Sequence, residues 1–371
     1  MESARMSVVV FDADVLGRQR TGDETYALNL LRELGTLATE AAIRLVAITR
    51  RPDLVPPGVE SLELSTRSQE FRMAWSLPRA LRRLDADLCH TQYALPLRAP
   101  CPCVMTVHDL SFERDPGLMS RKDRIVFRRI VPASVRNAKR VFTVSERTKA
   151  DLVELYRVAP EKIVVTPNGV DPIFRRVPNP NEEMPSYNLL HAPKPAAVDE
   201  SAPSDNLSQG GYILSVGAVQ RRKNQLAALE AAAAVGLPLV VVGPEKDASV
   251  ADELRRRGAR LEGYVETNRL AELYRGAACL VQSSRHEGFG LPVLEAMASG
   301  TPVVAVPDPA LLEVAGDAAV FVEADRLADG IRRAIAERDR LVAAGLQRAQ
   351  AFSWRAAAQR TLAVYREILG T

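Results

Sequence analysis

Two glutamates eight positions apart, Glu287 and Glu295, are the side chains best placed to act on a bound ligand. A Gly-Phe-Gly turn over 288–290 and Pro292 lie between them. Such a turn leaves backbone N–H groups free, and the positive end of a following helix also favours an anion such as phosphate. A carboxylate can accept both hydroxyls of a vicinal diol. The pattern predicts a ligand with a central diphosphate, a ribose on one side and a polyhydroxylated group on the other, which describes a sugar nucleotide.

The residues around this turn predict a strand before it and a helix after it. Residues 279–281 are a short apolar run, which is typical of a buried strand, and Pro292 to Ala298 indicates a helix with proline in its first turn. We place Glu295 in that first turn and Glu287 at the other end of the ligand. A Gly-x-Gly turn or a glutamate alone is usually structural, so the combined order of these elements carries the prediction.

The segment EGFGLPVLEAMASGTPVVA resembles the Glu-x7-Glu signature of retaining glycosyltransferase family 4, the group 1 glycosyl transferases, whose members have the GT-B fold. Further similarity runs in order through RTGDETYALNLLREL, VMTVHDLSF, VFTVSERTKADL, VVTPNGVD, ILSVGAVQRRKNQ, LEGYV and AGDAAVFV. Several ordered matches are more specific than any one. The resemblance implies an α/β protein in which two Rossmann-like domains with parallel sheets face each other across a cleft.

Alternating strand-like and helical stretches independently favour a parallel, doubly wound sheet. The predicted strands of the first half are 8–11, 44–49, 87–90, 104–107, 141–144 and 163–165. We assign residues 1–177 to an N-terminal acceptor-binding domain and residues 212–352 to a C-terminal donor-binding domain. Between them, 178–211 holds six prolines and five acidic residues, so we predict a mobile linker. The resemblance implies that a terminal helix over 353–371 packs back on the first domain.

Two candidate ligand residues follow predicted strands in the first half. Gly22 could bring the backbone close to a ligand, although a plain strand-to-helix turn explains it equally well from sequence alone. His108 ends a strand, and a lone histidine is more often structural. The resemblance favours a ligand role for both and places the histidine beside the transferred sugar. Asp109 is predicted as a turn or capping residue and Ser145 as a helix N-cap.

The second half supplies the cations. Arg222 and Lys223 precede an alanine- and leucine-rich helix, where two positive charges suit a departing diphosphate, whereas an exposed basic helix start is the alternative. Many family members have an arginine directly after Gly217, where this chain has Ala218, so Arg222 must take that role. The predicted catalytic residues are Glu287, His108, Arg222 and Lys223, and the predicted donor-binding residues are Glu295, Gly288, Phe289, Gly290, Leu291, Gly22, Gly217, Tyr264 and Val265. The last two resemble the family loop that contacts the nucleobase, and a turn before a helix explains them equally well.

Composition excludes several classes of protein. The 371 residues, 47% hydrophobic and 26% charged, are typical of a soluble two-domain protein. The N-terminus lacks the features of a signal peptide, and no run reaches the roughly 18 apolar residues of a membrane span, so we predict a cytoplasmic location. Four scattered cysteines predict neither a disulfide scaffold nor a zinc site. No metal is expected because no Asp-x-Asp motif stands in a metal-binding setting, and no cofactor is expected because the nucleotide sugar, GDP-mannose or a UDP-sugar, is a co-substrate.

Basic residues concentrate in two stretches. Residues 121–140 carry eight Arg or Lys against one Asp, and 67–83 carry five Arg against one Glu. The first stretch also interleaves five apolar residues, namely Ile125, Val126, Phe127, Ile130 and Val131. We predict peripheral contact with the inner face of a membrane, or with a lipid-linked acceptor, through 121–140, and a solvated helix face is the alternative. No nucleic-acid-binding module is recognisable.

The resemblance implies a metal-independent hexosyltransferase that retains the anomeric configuration. The basic motif after Gly217 and the TVHDLSF segment look most like members that move mannose from GDP-mannose onto a glycan or lipid-linked acceptor, in surface polysaccharide or glycolipid synthesis. The alternatives are transfer from UDP-glucose or UDP-N-acetylglucosamine, a GT-B sugar-nucleotide epimerase, and a non-catalytic binding protein. A nicotinamide dehydrogenase is disfavoured because no Gly-x-Gly-x-x-Gly follows the first strand.

Overall fold

The computed structural model describes residues 5–18, 21–114, 121–176 and 211–371. Within these residues the strands form two sheets in which every pairing is parallel. The first sheet has the order β3-β2-β1-β4-β5-β6-β7 and the second the order β10-β9-β8-β11-β12-β13. The predicted α/β fold with two Rossmann-like units is confirmed.

The strands of the first sheet are β1 (Ser7–Asp12), β2 (Ile43–Thr49), β3 (Glu60–Glu63), β4 (Leu88–Gln92), β5 (Cys103–Val107), β6 (Val141–Thr143) and β7 (Ile163–Val165). Those of the second are β8 (Ile213–Val216), β9 (Leu239–Val242), β10 (Arg260–Gly263), β11 (Cys279–Gln282), β12 (Val303–Ala305) and β13 (Val320–Phe321).

The helices of the first half are α1 (Thr21–Glu40), α2 (Gln69–Phe71), α3 (Leu77–Arg83), α4 (Ser111–Arg114), α5 (Arg121–Asn137) and α6 (Glu146–Tyr156), and a π-helical turn, Arg72–Ser76, joins α2 to α3. The helices of the second half are α7 (Gln225–Ala234), α8 (Ala248–Arg256), α9 (Thr267–Gly276), α10 (Leu291–Ala298), α11 (Pro309–Ala315), α12 (Leu327–Ala336), α13 (Arg338–Ala349) and α14 (Trp354–Leu369).

Both faces of the first sheet are buried, as β1 illustrates. Val9 and Phe11 belong to one hydrophobic cluster, whereas Val8 and Val10 belong to another. Successive side chains of a strand point to opposite faces, so an unbroken apolar run fits a sheet covered by helices on both sides. The edge strand β3, with the sequence ESLE, is mostly exposed and was not predicted, because its burial is too small to impose an apolar pattern.

The strand order fixes where ligands can bind. In each sheet the chain starts in the middle, builds outward on one side and then crosses to the other, so the order reverses between β1 and β4 and between β8 and β11. Ligands of such sheets occupy the crevice at the carboxyl ends of the strands beside the reversal. In the second sheet, this edge carries Gly217 after β8 and Glu287 after β11.

The terminal helix α14 returns to the first half of the chain. The hydroxyl of Tyr365 shares a hydrogen bond of 2.5 Å with Nδ1 of His90 on β4, and Ser353 caps the helix by accepting the N–H of Ala356. Residues 178–210 of the linker predicted at 178–211 lie outside the described residues, and the domain boundaries drawn from sequence stay predictions.

The basic helix α5 buries part of the apolar face that its sequence indicated. Val131 is buried, and Phe127 is half-buried with its ring 5.4 Å from that of Phe112. Ile130 is exposed, and nothing is described for the side chain of Ile125. Val131 and part of Phe127 thus belong to the domain core, and membrane contact through 121–140 stays a prediction. No described helix has the length and apolarity to cross a bilayer.

Candidate functional site

A buried ion pair joins the loops that follow two neighbouring strands of the second sheet. Lys223, in a 3₁₀ turn after β8, places Nζ 2.5 Å from Oε1 of Glu287, which follows β11. The amide of Gln282 donates to the same oxygen at 2.5 Å. Arg222 donates to the carbonyl of His286 at 2.6 Å and lies 3.7 Å from Glu287 Oε2. Three residues predicted from two separate motifs thus form one cluster.

The charges of this cluster hold Glu287 ionised. Burial alone would raise the pKa of Glu287, but the positive charges of Lys223 and Arg222 outweigh it and lower the pKa to about 2. Burial lowers the pKa of Lys223, and the charge of Glu287 opposes that shift. The carboxylate of Glu287 can therefore stay charged although it is buried, because cations lie beside it. Removing those cations would leave a buried charge without compensation.

Gly217 makes room for the lysine. Its φ is +141°, and a Cβ at this position would lie 3.2 Å from Cε of Lys223. A Cβ on Gly243, at the end of the neighbouring strand, would lie 2.3 Å from the Gly217 carbonyl oxygen. Two glycines at adjacent strand ends thus let the backbones approach closely and leave the crevice open for the lysine side chain.

The predicted anion-binding turn precedes α10. Gly290 has φ of +102° at the N-cap, and the N–H groups of residues 288–291 have no acceptor among the described residues. Phe289 is buried with its ring 5.8 Å from Phe352, so its side chain supports the turn from behind. Since α10 begins at Leu291, Glu295 lies at the start of the second turn, and its placement in the first turn was wrong. Proline tolerates any position in the first turn, so it does not fix the helix start.

Glu295 is buried and hydrogen-bonded from α9. The hydroxyl of Tyr274 donates to its Oε2 at 2.8 Å. Burial raises the pKa of Glu295 to about 7, although the hydrogen bond from Tyr274 opposes the shift. The two glutamates of the motif thus have opposite electrostatic surroundings, because Glu287 has cations beside it and Glu295 has only a neutral donor.

His108 lies across the cleft, at the end of β5. Its Nε2 shares a hydrogen bond of 2.7 Å with the side chain of Gln92, and its ring centroid is 4.7 Å from that of Tyr26. Burial lowers the pKa of His108, and the charges of Asp23 and Asp109 partly oppose the shift. The histidine is therefore held as a neutral group with a fixed ring orientation.

Gly288 is the point where the two halves meet at the site. A Cβ there would lie 2.3 Å from the carbonyl oxygen of His108. The carbonyl of Gly288 accepts the hydroxyl of Ser145 at 2.6 Å, and Thr148 donates to the His108 carbonyl at 3.0 Å. Ser145 also caps α6 as predicted, by accepting the N–H of Thr148. Glycine in the motif thus permits contact between domains.

The remaining predicted residues line the neighbouring surface. Gly22 lies in the first turn of α1, where an added Cβ would meet no atom within 4 Å, so space is open there. Tyr264, after β10, is 43% exposed, and the charge of Glu24 on α1 adds to burial in raising its pKa. Val265 packs against the main hydrophobic cluster. The structure brings the Tyr264 loop near α1, across the cleft.

Sequence reasoning missed several residues that complete the site. Asp308 accepts the N–H groups of Ala310 at 2.9 Å and of Glu287 at 3.4 Å, so it caps α11 and fixes the Glu287 backbone. The Asp-Pro pair at 308–309 is an N-cap signal that could have been read. Nothing in the sequence marked Tyr274 as the partner of Glu295, since they lie on different helices. In the described ranges, no three His, Cys, Asp or Glu side chains gather in a way that could hold a metal.

Comparisons with known proteins identify the family of this chain. The model of Glycosyltransferase Family 4 matches residues 20–174, and that of Glycosyl transferases group 1 matches residues 199–349. O-antigen chain mannosyltransferase B of Escherichia coli is 29% identical over 344 residues, which cover 87% of this chain and 83% of that protein. D-inositol 3-phosphate glycosyltransferase 1 of Catenulispora acidiphila is 31% identical over 314 residues, covering 77% of this chain and 73% of that protein.

Solved structures show the same architecture. The Anabaena HepE protein, in a crystal structure with UDP and glucose, superposes with a TM-score of 0.70 at 15% identity, over 98% of this chain and 100% of that one. The two family models lie one on each half of the chain, and the 31% identical relative is matched over most of its length. This chain belongs to the group 1 glycosyl transferases of glycosyltransferase family 4 and has the GT-B fold.

Proposed function

We propose that this glycosyltransferase is a retaining, metal-independent hexosyltransferase that moves a sugar from a nucleotide-sugar donor to an acceptor hydroxyl. The observation that carries the proposal is the buried contact of Lys223 and Arg222 with Glu287, next to the free N–H groups of 288–291. Cations and free N–H groups suit a diphosphate, and a carboxylate suits sugar hydroxyls.

The proposed roles follow from this arrangement. Lys223, Arg222 and the 288–291 turn bind the diphosphate, and Glu295 accepts the ribose hydroxyls. Glu287 and His108 hold the transferred sugar from opposite sides of the cleft. Gly217 and Gly22 let backbone approach the donor, whereas Tyr264 and Val265 contact the nucleobase.

In the proposed reaction, the bond between the anomeric carbon and the diphosphate oxygen breaks, and the acceptor oxygen bonds to the same face. The departing phosphate oxygen takes the acceptor proton. Lys223 and Arg222 stabilise the charge that develops on the leaving group, in a cleft closed against water. The Asp308 carboxylate already accepts two N–H groups, so it is poorly suited to act as a nucleophile.

We favour mannose from GDP-mannose as the donor and a glycan or lipid-linked hydroxyl as the acceptor, in surface polysaccharide or glycolipid synthesis. Support comes from the similarity to an O-antigen chain mannosyltransferase. The HepE structure with UDP and glucose supports a UDP-sugar as the alternative donor, and the D-inositol 3-phosphate glycosyltransferase supports a phosphorylated polyol as an alternative acceptor.

Calorimetric titration with GDP and UDP, together with transfer of labelled sugar from GDP-mannose, tests the proposal. Glu287→Ala should abolish transfer while nucleotide binding survives. Glu295→Ala and Lys223→Ala should each weaken nucleotide binding by about 1–3 kcal/mol, the cost of losing hydrogen bonds to a charged group. Glu272→Ala, on the exposed face of α9, is the matched control. Unchanged nucleotide affinity in both Glu295→Ala and Lys223→Ala would overturn the donor placement, and isomerised donor in the absence of any acceptor would indicate an epimerase.

A further inference from the structure

An exposed group of large apolar side chains lies on the first domain, away from the cluster around Glu287. Phe71, Trp75 and Leu97 expose 54%, 55% and 62% of their surfaces, more than any other large apolar side chain of the described residues. A contiguous exposed apolar group with a polar rim marks an interaction surface in many proteins. We call these three residues the apolar strip.

Phe71 and Trp75 are exposed, whereas Arg72, which lies between them in the sequence, is buried. The π-helical turn begins at Arg72, whose guanidinium is fully buried and donates to both carboxylate oxygens of Asp12 at 2.6 and 2.5 Å. With Arg72 turned into the domain, Phe71 and Trp75 lie four residues apart on the opposite, outer face of the helical segment. π turns occur often where a helix serves a function.

Leu97 joins the strip from the loop after β4. Its N–H donates to the carbonyl of Met73 at 2.8 Å, which fixes the loop beside the π turn. In the same loop, the N–H of Leu95 donates to Oγ of Ser134 on α5 at 3.0 Å. A backbone hydrogen bond thus fixes Leu97 beside the π turn, and the loop that carries Leu97 also contacts the basic helix α5.

The chain segments that carry the strip also carry exposed arginines. Arg67, Arg79, Arg82, Arg83 and Arg98 are all exposed, and none forms an ion pair with a described residue. The guanidinium of Arg79 lies 5.4 Å from the ring centroid of Trp75. Aromatic side chains among unpaired arginines are the combination with which a surface helix binds anionic lipid headgroups while its apolar groups enter the acyl boundary.

The strip lies at the edge of the first sheet where the candidate site is found. Gln92, which ends β4 and hydrogen-bonds His108, precedes Leu97 by only five residues. Asp12, which holds Arg72, ends β1. We propose that the apolar strip and its arginines dock the protein on a bilayer containing anionic phospholipid, so that a membrane-borne acceptor reaches the cleft beside His108. The part of this inference that concerns the acceptor rests on the proposed function, whereas the docking does not.

Tryptophan fluorescence gives a direct test, because the chain has two tryptophans and their exposure differs. Trp75 is 55% exposed, whereas Trp354 is 5% exposed. The full chain is titrated with vesicles of phosphatidylcholine alone and with vesicles that contain about 30% phosphatidylglycerol. We expect a blue shift and flotation with the anionic vesicles, and no blue shift in Trp75→Phe.

Two variants separate the apolar from the ionic contribution. Phe71→Ala/Leu97→Ala keeps the fluorescent reporter and should lower vesicle partitioning at least about tenfold, as should Arg79→Glu/Arg82→Glu. The controls, Ile335→Ala and Arg256→Glu/Arg326→Glu, remove apolar surface and reverse charge at exposed positions of the second domain and should partition like the wild type. If the strip variants partition onto vesicles as strongly as the controls do, the proposal is overturned.

Two further outcomes are decisive. A wild-type protein that binds neither kind of vesicle overturns the docking. A concentration-dependent dimer that forms without vesicles and is lost in Phe71→Ala/Leu97→Ala would assign the strip to a second copy of the chain and overturn it equally. Nucleotide titration of the same samples keeps the two proposals apart, since failure to bind any nucleotide counts against the donor site and leaves the vesicle result standing.

Discussion

The carboxylate of Glu313, on α11 of the second half, accepts the backbone N–H of Glu146, the first residue of α6 in the first half, at 2.9 and 3.0 Å. The N–H of Arg147 points to the same carboxylate at 3.4 Å. An anion at the start of a helix is stabilised by its free N–H groups and by the helix dipole. Together with the Ser145 contact to Gly288, this cap joins the two domains at the rim of the site.

Removing the cap should loosen closure without changing the donor pocket. Glu313→Ala should lower kcat/KM for transfer about fivefold, since a charge at a helix N-terminus contributes about 1 kcal/mol. Nucleotide affinity should stay unchanged. Steady-state kinetics and calorimetry, with Glu272→Ala as the surface control, measure both. Equal kinetics in the two variants would show that the cap does not assist closure.

Gly288→Ala should block closure more severely. Its Cβ would lie 2.3 Å from the carbonyl oxygen of His108, and backbone cannot yield as a flexible side chain can. We expect transfer to fall at least about a hundredfold, because the groups on the two domains no longer meet. Nucleotide binding to the second domain should persist. Nucleotide binding by the variant is also the control for folding of the second domain. Normal transfer by Gly288→Ala would mean that the reaction does not require this contact between the domains.

The ion pair at the site should show a large coupling energy. Lys223→Met leaves Glu287 buried beside Arg222 alone and should lower the free energy of unfolding by about 3–5 kcal/mol. The double variant Lys223→Met/Glu287→Gln should lose less than the sum of the single variants, because it removes both members of the pair and leaves no buried carboxylate. Urea denaturation at pH 7 of the wild type, both single variants and the double variant gives the free energies of unfolding for this double-mutant cycle. Additive losses would mean that the two side chains do not stabilise each other.

Glu295 should make both stability and nucleotide binding depend on pH. Its pKa is raised to about 7 in the folded protein, so the folded state holds a proton that the unfolded state has released. Stability should therefore fall as pH rises from about 4.5 to about 7, and change little above that. Denaturant unfolding across this range should show the slope in the wild type, and Glu295→Gln should lack it.

Nucleotide affinity should rise with pH over the same range, in contrast to stability. Ribose hydroxyls donate to the ionised carboxylate, so binding should release a proton and weaken as pH falls below about 7. The terminal phosphate of the nucleotide also titrates, and Glu295→Gln provides the reference that separates the two effects. Calorimetry in buffers of different ionisation enthalpy counts the proton. Identical pH profiles for the wild type and Glu295→Gln would disprove the assignment to the ribose.

Arg72 should matter for stability far more than its arginine neighbours. Arg72→Met leaves Asp12 buried without its bidentate partner and should cost about 3–5 kcal/mol in urea denaturation. Arg79→Met, at an exposed position three residues past the end of the π turn, should change stability by less than about 0.5 kcal/mol. Equal effects would show that the buried pair does not anchor the helical segment.

Local patterns in the sequence were enough to predict the sheets and the central residues of the site. Buried strands such as β1 and β9 are continuous apolar runs, and Glu287, Lys223 and His108 each follow such a strand. In parallel sheets, strand ends converge at one edge, so residues far apart in sequence could be expected to meet there. The edge strand β3 was not predicted because it buries too little to leave an apolar pattern, and β13 has only two residues.

What the sequence by itself determined is the α/β architecture, the family and the position of the Glu-x7-Glu motif. Only the tertiary structure decided that Glu287 is held by cations and Glu295 by the hydroxyl of Tyr274, that Glu313 caps a helix of the other domain, and that Arg72 is buried. The physical reason is that periodicity and turn chemistry act between near neighbours in the chain. The ionisation of a buried group and contact between domains depend instead on residues far apart in the chain, such as Glu146 and Glu313, 167 positions apart, which only the packed chain brings together.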